Sequence, residues 1–170
     1  MSSLDFTFRL QPKQKDFRAS LEKYPVTLYG GAKGGGKSKG LRDIMLERRL
    51  RFPGSVGYIF RKTYPELDKN HIQPLLKEYP QLRPYWHAGR RILLLPNGSE
   101  LGFGYVEHAK DLEKYQGVEF HDLGIEEAGE WPEQFISTLW GSNRSSKAGI
   151  PARLALTANP GGQAHQYLKR

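Results

Sequence analysis

The chain has no cysteine among its 170 residues. That excludes disulfides and any zinc or iron–sulfur site held by thiolates. It also has no apolar run near the roughly 20 residues that a membrane-spanning helix needs. Its first ten residues, Met1 to Leu10, alternate polar and apolar types and lack the basic and then apolar order of a leader peptide. No internal repeat and no low-complexity linker occurs. These absences point to a soluble globular protein of the cytoplasm, and the length is most simply one domain with its own hydrophobic core. Acidic residues are in deficit: 18 Asp and Glu stand against 26 Lys and Arg, a formal net charge of +8. Such a balance favours a polyanionic partner such as DNA or RNA. The basic residues are dispersed, as at Arg48, Arg49 and Arg51, at Arg61 and Lys62, and at Arg90 and Arg91, so a merely solvated surface explains them equally well.

Glycine, by contrast, is concentrated where it carries chemistry. Residues 30–38 read Gly-Gly-Ala-Lys-Gly-Gly-Gly-Lys-Ser, and from Gly31 they satisfy the phosphate-loop pattern G-x-x-x-x-G-K-[ST]. The pattern requires a strand before it and a helix after it, because it aims backbone N–H groups and a helix N-terminus at a polyphosphate. Val26 to Tyr29 supplies a short apolar strand, expected to be buried, and Leu41, Ile44 and Met45 fall at helical spacing up to about Arg51, ahead of Pro53-Gly54. Gly31, Ala32, Lys33, Gly34, Gly35, Gly36, Lys37 and Ser38 are therefore the candidate nucleotide-binding residues. Lys37 is expected at the β- and γ-phosphates of ATP and Ser38 at Mg²⁺. A flexible glycine loop matching by chance is the plain alternative.

A short helical segment opened by Leu10 to Phe17 and ending near Pro25 precedes this unit, and its Gln14 can offer an amide donor and acceptor to an adenine edge, or can simply be a surface glutamine. Val56 to Phe60 reads as a second buried strand ending in Arg61, which can face phosphate or DNA, cap a helix or pair with a carboxylate. Leu67 to Tyr79 looks helical, with Pro74 expected to kink or split it. Arg91 to Leu95 and Glu100 to Tyr105 flank Asn97-Gly98, a hairpin signal because both turn residues accept positive φ. Asp111 to Tyr115 suggests a short helix.

Val118 to Ala128 is the second informative stretch. A strand closing on Glu126-Glu127 would set one carboxylate at the metal and the next at an attacking water. Two adjacent glutamates on a loop are ordinarily just solvated charge, so the weight comes from pairing them with Lys37 and Ser38. Arg153 to Thr157 is a further apolar strand, and it runs into Asn159-Pro160-Gly161-Gly162, where a polar side chain can meet a γ-phosphate or where the chain merely turns. Arg144, in the polar loop 141–147, can act as an arginine finger on a neighbouring subunit's nucleotide, or be an ordinary surface residue.

Taken together, Gln14, the phosphate loop, Phe60-Arg-Lys-Thr63, the Asn-Gly hairpin, Ile125-Glu-Glu-Ala128 and Thr157-Ala-Asn-Pro-Gly-Gly162 resemble the N-terminal ATPase domain of the large terminase subunit of tailed bacteriophages, over nearly the whole chain. The resemblance implies an α/β, RecA-like P-loop fold of the additional-strand, catalytic-glutamate class, with a mainly parallel central sheet and an inserted β-hairpin. It also implies ATP hydrolysis with Mg²⁺ that drives double-stranded DNA into a capsid, a homo-oligomeric ring, and contacts to a small terminase subunit and the capsid portal. Glu127 becomes the catalytic base, Ser38 and Glu126 the metal residues, Asn159 part of the motif coupling hydrolysis to movement, and Gln14 part of the adenine motif. Lys33 stands where the family often carries an arginine that reaches the γ-phosphate, and keeps the charge without the bidentate fork. Glu126 stands where aspartate is commoner, which leaves the division of roles between Glu126 and Glu127 open. The nuclease domain of full-length members is not expected in these residues, which read as one ATPase domain cut short after Pro160. A helicase-like ATPase and a nucleotide-regulated binding module are the rival readings.

Overall fold

Seven strands pair into one sheet in the computed structural model, which describes residues 4–31 and 36–159. They are β1 (Val26–Gly30), β2 (Val56–Arg61), β3 (Trp86–His87), β4 (Ile92–Leu94), β5 (Glu100–Tyr105), β6 (Asp122–Ile125) and β7 (Arg153–Ala158). Their order is β1-β7-β6-β2-β5-β4-β3. The pairings from β1 across to β5 are all parallel, while β4 and β3 add on as antiparallel strands. Thus β7 lies between the phosphate-loop strand β1 and the Glu-Glu strand β6. This is the additional strand of the RecA-like class, and the fold is the α/β arrangement expected.

Helices α1 (Pro12–Lys23), α2 (Lys37–Arg51), α3 (Tyr64–Leu67), α4 (Gln73–Glu78) and α5 (Glu133–Trp140) cover the sheet. Strand alternation divides the core in two. On β2, Ile59 joins a cluster with Phe17, Leu21, Leu41 and Ile44, whereas its neighbour Phe60 joins one with Leu123, Ile125, Trp131 and Ile136. On β7, Ala155 goes to the first cluster, and Leu154 and Leu156 go to the second. The sheet is therefore packed on both faces.

One face of β6 is read residue by residue against α2. Asp122 meets Arg48 and Arg49 at the end of the helix, Gly124 faces Leu41 in its middle, and Glu126 meets Ser38 at its start. Four strand residues span about 13 Å and ten helical residues about 15 Å, so the two antiparallel elements keep step. A Cβ on Gly124 would sit 3.2 Å from Leu41 Cδ1, so the glycine admits the helix.

Several expectations are corrected here. β1 is not a buried strand: among the described residues it pairs only with β7, and Val26 and Leu28 are 37% and 43% exposed. The alternate residues Thr27 and Tyr29 point inward, the opposite of what polarity suggests. At the hairpin, Gly98 takes positive φ and Asn97 does not. Asn97 instead accepts from Ser99 N (2.9 Å) and donates to Arg49 O (2.9 Å), tying the turn to the end of α2. The short helix expected over Asp111 to Tyr115 is present, as a 3₁₀ helix, Ala109–Tyr115.

The 67–79 helix is interrupted one turn before Pro74, by a π turn over Asp68–Ile72 in which Gln73 N–H bonds Asp68 O. Proline has no N–H for the carbonyl four residues back. That carbonyl, of Asn70, accepts instead from Arg42 Nη1 at 2.9 Å. Pro74 itself sits in the first turn of α4, where its fixed φ suits the helix. The expected helical tail after Pro160 lies outside the described residues.

Candidate nucleotide site

The C-terminal ends of β6 and β7 and the start of α2 open onto a cleft of about 450 Å³, whose walls include Lys37, Ser38, Glu126, Glu127, Thr157 and Asn159. Gly31 leaves β1 with φ 133°, and Gly36 enters α2 with φ 71°, conformations that side chains resist. Ala32, Lys33, Gly34 and Gly35, called as nucleotide-binding, lie outside the described residues. Lys37 Nζ donates to Gly31 O at 3.1 Å, folding its side chain back toward the end of β1.

Gln14 is not a surface glutamine. It is buried beneath the loop, where Nε2 donates to Gly36 O and Oε1 accepts from Gln11 N, both at 2.8 Å. A Cβ at Gly36 would lie 2.7 Å from Nε2, and one at Gly40 would lie 2.9 Å from Gln14 Cγ. The two glycines thus make room for the glutamine, and both faces of its amide hold protein backbone.

Glu126 is buried where β6 ends. One carboxylate oxygen meets the Ser38 hydroxyl, and the other accepts from His71 Nε2 and lies 3.3 Å from Arg61 Nη1. Its backbone is also fixed, with N donating to Phe60 O (3.0 Å) and O accepting from Trp131 Nε1 (3.2 Å). Burial alone would raise this carboxyl; His71, Arg61 and Ser38 outweigh it and hold the pKa at about 2. Burial pushes His71 the other way, below the ordinary imidazole value, against the pull of Glu126. The contact between them is an N–H of His71 donating to the Glu126 carboxylate.

Glu127 turns out of the strand with φ 51°, a left-handed conformation that costs a glutamate about 1 kcal/mol or more. Its N–H donates to Thr157 Oγ1 at 3.1 Å, and its carboxylate is half-exposed toward the cleft, 3.5 Å from the same Arg61 Nη1. The two glutamates therefore do differ in direction, one buried against α2 and one open. Arg61, whose role four readings left open, is a buried guanidinium joining both carboxylates, with Glu66 at 3.7 Å from its Nε. Asn159 borders the cleft, and its buried Oδ1 accepts no hydrogen bond from the described residues.

Arg144 is not brought to this cleft. Its backbone N–H donates to Phe120 O at 3.1 Å, at the opposite end of β6, and its side chain is exposed there. Conversely, sequence reading passed over His71 and Arg42 and gave Thr157 no role of its own. His71 had a signal: Leu67, His71 and Leu75 recur every fourth residue, and all three are fully buried, so an imidazole stands in an apolar stripe.

Ser38 and the ionised Glu126 offer a hydroxyl and a carboxylate in contact, hard oxygen donors of the kind that Mg²⁺ takes one or two of. No larger cluster of His, Asp and Glu able to hold a metal by itself occurs among the described residues. No helix among them is long and apolar enough to cross a membrane.

Comparison with known proteins bears on this geometry. The chain superposes on the large terminase of a thermophilic bacteriophage with TM-score 0.76 and 17% identity, covering 96% of this chain and 42% of that one. Structures of that terminase with ADP and with ATP-gamma-S also match. The HK97 bacteriophage large terminase matches with TM-score 0.69 and 15% identity over 91% of this chain and 34% of that one. The large terminase ATPase domain of Thermus phage P74-26 matches with TM-score 0.57 and 14% identity over 89% and 67%. The chain thus spans about two fifths or less of the first two proteins. Identities this low establish the fold alone. No curated protein matches the sequence. A family model described as the T4likevirus-type terminase large subunit, N-terminal, matches residues 28–168, from β1 through the phosphate loop, both glutamates and β7. On that match the chain belongs to the family of N-terminal domains of terminase large subunits.

Proposed function

We propose that this chain is the ATP-hydrolysing motor domain of a DNA-packaging terminase, which drives double-stranded DNA into a capsid. One observation carries the reading. The start of α2 and the end of β6 bring Ser38 against Glu126 while Glu127 stays open beside them and Lys37 reaches back to Gly31. A module that only binds nucleotide has no need of the second carboxylate.

In this reading the backbone N–H groups of residues 31–38 and the Lys33 and Lys37 side chains hold the triphosphate. Ser38 and Glu126 are the residues that would hold Mg²⁺, which when bound neutralises charge on the phosphates. Glu127 accepts a proton from a water as its oxygen bonds to the γ-phosphorus and the bond from that phosphorus to the ADP oxygen breaks. The proton then passes from Glu127 to solvent or to the departing phosphate. Thr157 fixes the backbone of that glutamate, and Asn159, at the end of β7, is placed to sense the γ-phosphate or the water. Gln14 supports the start of α2 through Gly36, and each atom of its amide keeps one further hydrogen-bonding site beyond those used on Gly36 and Gln11.

The positive net charge suits a DNA partner that is bound through its phosphates without regard to sequence. Assembly into a ring, contact with a small subunit and a portal, and work in the host cytoplasm belong to the same proposal. A finger role for Arg144 would have to be exerted on a neighbouring copy. The test is phosphate release measured with and without duplex DNA at low and at high salt. Turnover stimulated by DNA of any sequence, with the stimulation lost at high salt, supports the reading; ATP binding without turnover under all conditions overturns it.

A further inference from the structure

We propose that His71 is a positioning residue for the metal-bearing carboxylate, delivered to it by the π turn Asp68–Ile72. The inference rests on the reading above of Ser38 and Glu126 as the residues that hold Mg²⁺.

His71 is 0% exposed, and its Nε2–H donates to Glu126 Oε2, while Oε1 of the same carboxylate meets Ser38. A carboxylate can present both oxygens to a cation. Here Oε2 is occupied by His71 and approached by Arg61, so a single oxygen faces Ser38. Mg²⁺ is small, strictly octahedral and keeps most of its waters, so one carboxylate oxygen suits it. Ca²⁺ takes more oxygens at longer distance and readily accepts both from one carboxylate. His71 therefore does two things: it locks the Glu126 side chain and biases the site toward the smaller ion.

The chain goes to some length to place this ring. Pro74 leaves the Asn70 carbonyl without its helical donor, Arg42 Nη1 takes it at 2.9 Å, and Asn70 Nδ2 donates to Glu66 O at 2.8 Å. Around these bonds the helix widens for one turn, and such π turns recur at functional sites. The ring also carries a cost. Its Nδ1 is buried without a partner among the described residues, and a leucine would have continued the Leu67 and Leu75 stripe with no polar atom left over. The contact that offsets this cost is the one with Glu126.

The experiment is calorimetric titration of the chain with ATP-gamma-S in Mg²⁺, in Ca²⁺ and in EDTA, for the wild type, His71→Leu and His71→Gln. Loss of a residue that orients a metal ligand typically weakens the metal by about tenfold to a hundredfold. His71→Leu is expected to weaken Mg²⁺-supported binding by about tenfold or more, to weaken Ca²⁺-supported binding less, and to leave binding in EDTA and the melting temperature unharmed. His71→Gln, whose amide N–H reaches a similar position, is expected to restore most of the Mg²⁺ preference. Should the leucine variant not fold, His71→Gln against the shorter His71→Asn reads the same effect, with only the asparagine weakened. An unchanged Mg²⁺ to Ca²⁺ ratio in His71→Leu, or equal affinities for the Gln and Asn variants, overturns the proposal. A wild type whose ATP-gamma-S affinity ignores Mg²⁺ altogether overturns the ligand assignment, and the inference with it.

Discussion

Arg48 Nε donates to Asp122 Oδ2 at 2.8 Å with both side chains 1% exposed. The pair closes the far end of the same strand and helix whose near end joins Glu126 to Ser38. Arg49 converges on the same oxygen, so one buried carboxylate answers two buried guanidinium groups. Replacing Asp122 by alanine leaves Arg49 without its anion and Arg48 with Glu22 alone, at 2.9 Å, and breaking a buried pair in this way typically costs about 3–5 kcal/mol. Urea denaturation of Asp122→Ala should show a loss of that order, and a loss under about 1 kcal/mol would mean that water reaches the arginines.

Gly57 on β2 is the space into which Arg49 fits, since a Cβ there would lie 1.9 Å from Nη1. Gly57→Ala should therefore displace the guanidinium from Asp122 and destabilise strongly. Gly89→Ala, at a glycine with nothing within 4 Å and no positive φ, should stay within about 0.5 kcal/mol of wild type. Thermal melting of the two variants side by side checks the contrast.

The Gln14 amide spans from α1 to Gly36, so its loss should loosen the loop and weaken every nucleotide alike. ATP and GTP affinities of Gln14→Ala should fall by a similar factor. A fall for ATP alone would show that the amide reads the base.

Arg144 stands at the opposite end of β6 from the glutamates. In dilute solution Arg144→Ala should turn over ATP at the wild-type rate, because no residue of its own site is touched. A finger acting on a neighbour would appear only as the loss of a concentration-dependent rise in specific activity, readable from rates measured over a range of protein concentrations.

Much of this was legible from the residues. Local rules placed the strand, glycine loop and helix around Gly31 to Ser38, because phosphate binding demands that order, and the pairing of Glu126-Glu127 with Lys37-Ser38 followed from chemistry alone. The missed features are those that depend on residues distant in the chain. The edge position of β1 is a property of strand order, which the run Val26 to Tyr29 does not contain. Asp122 reads as a blemish in an apolar strand until Arg48 and Arg49 are brought to it across α2. Pro74 announced a break in the helix, but its form, a π turn anchored by Arg42 and aiming His71 at Glu126, needed the third dimension.

Glu127→Gln tests the central claim most directly, because it removes the proposed proton acceptor and changes neither Ser38 nor Glu126. Binding of ATP with Mg²⁺ should be retained, while steady-state phosphate release should fall by about a hundredfold or more. A Glu127→Gln protein that binds and hydrolyses ATP as the wild type does would contradict the account.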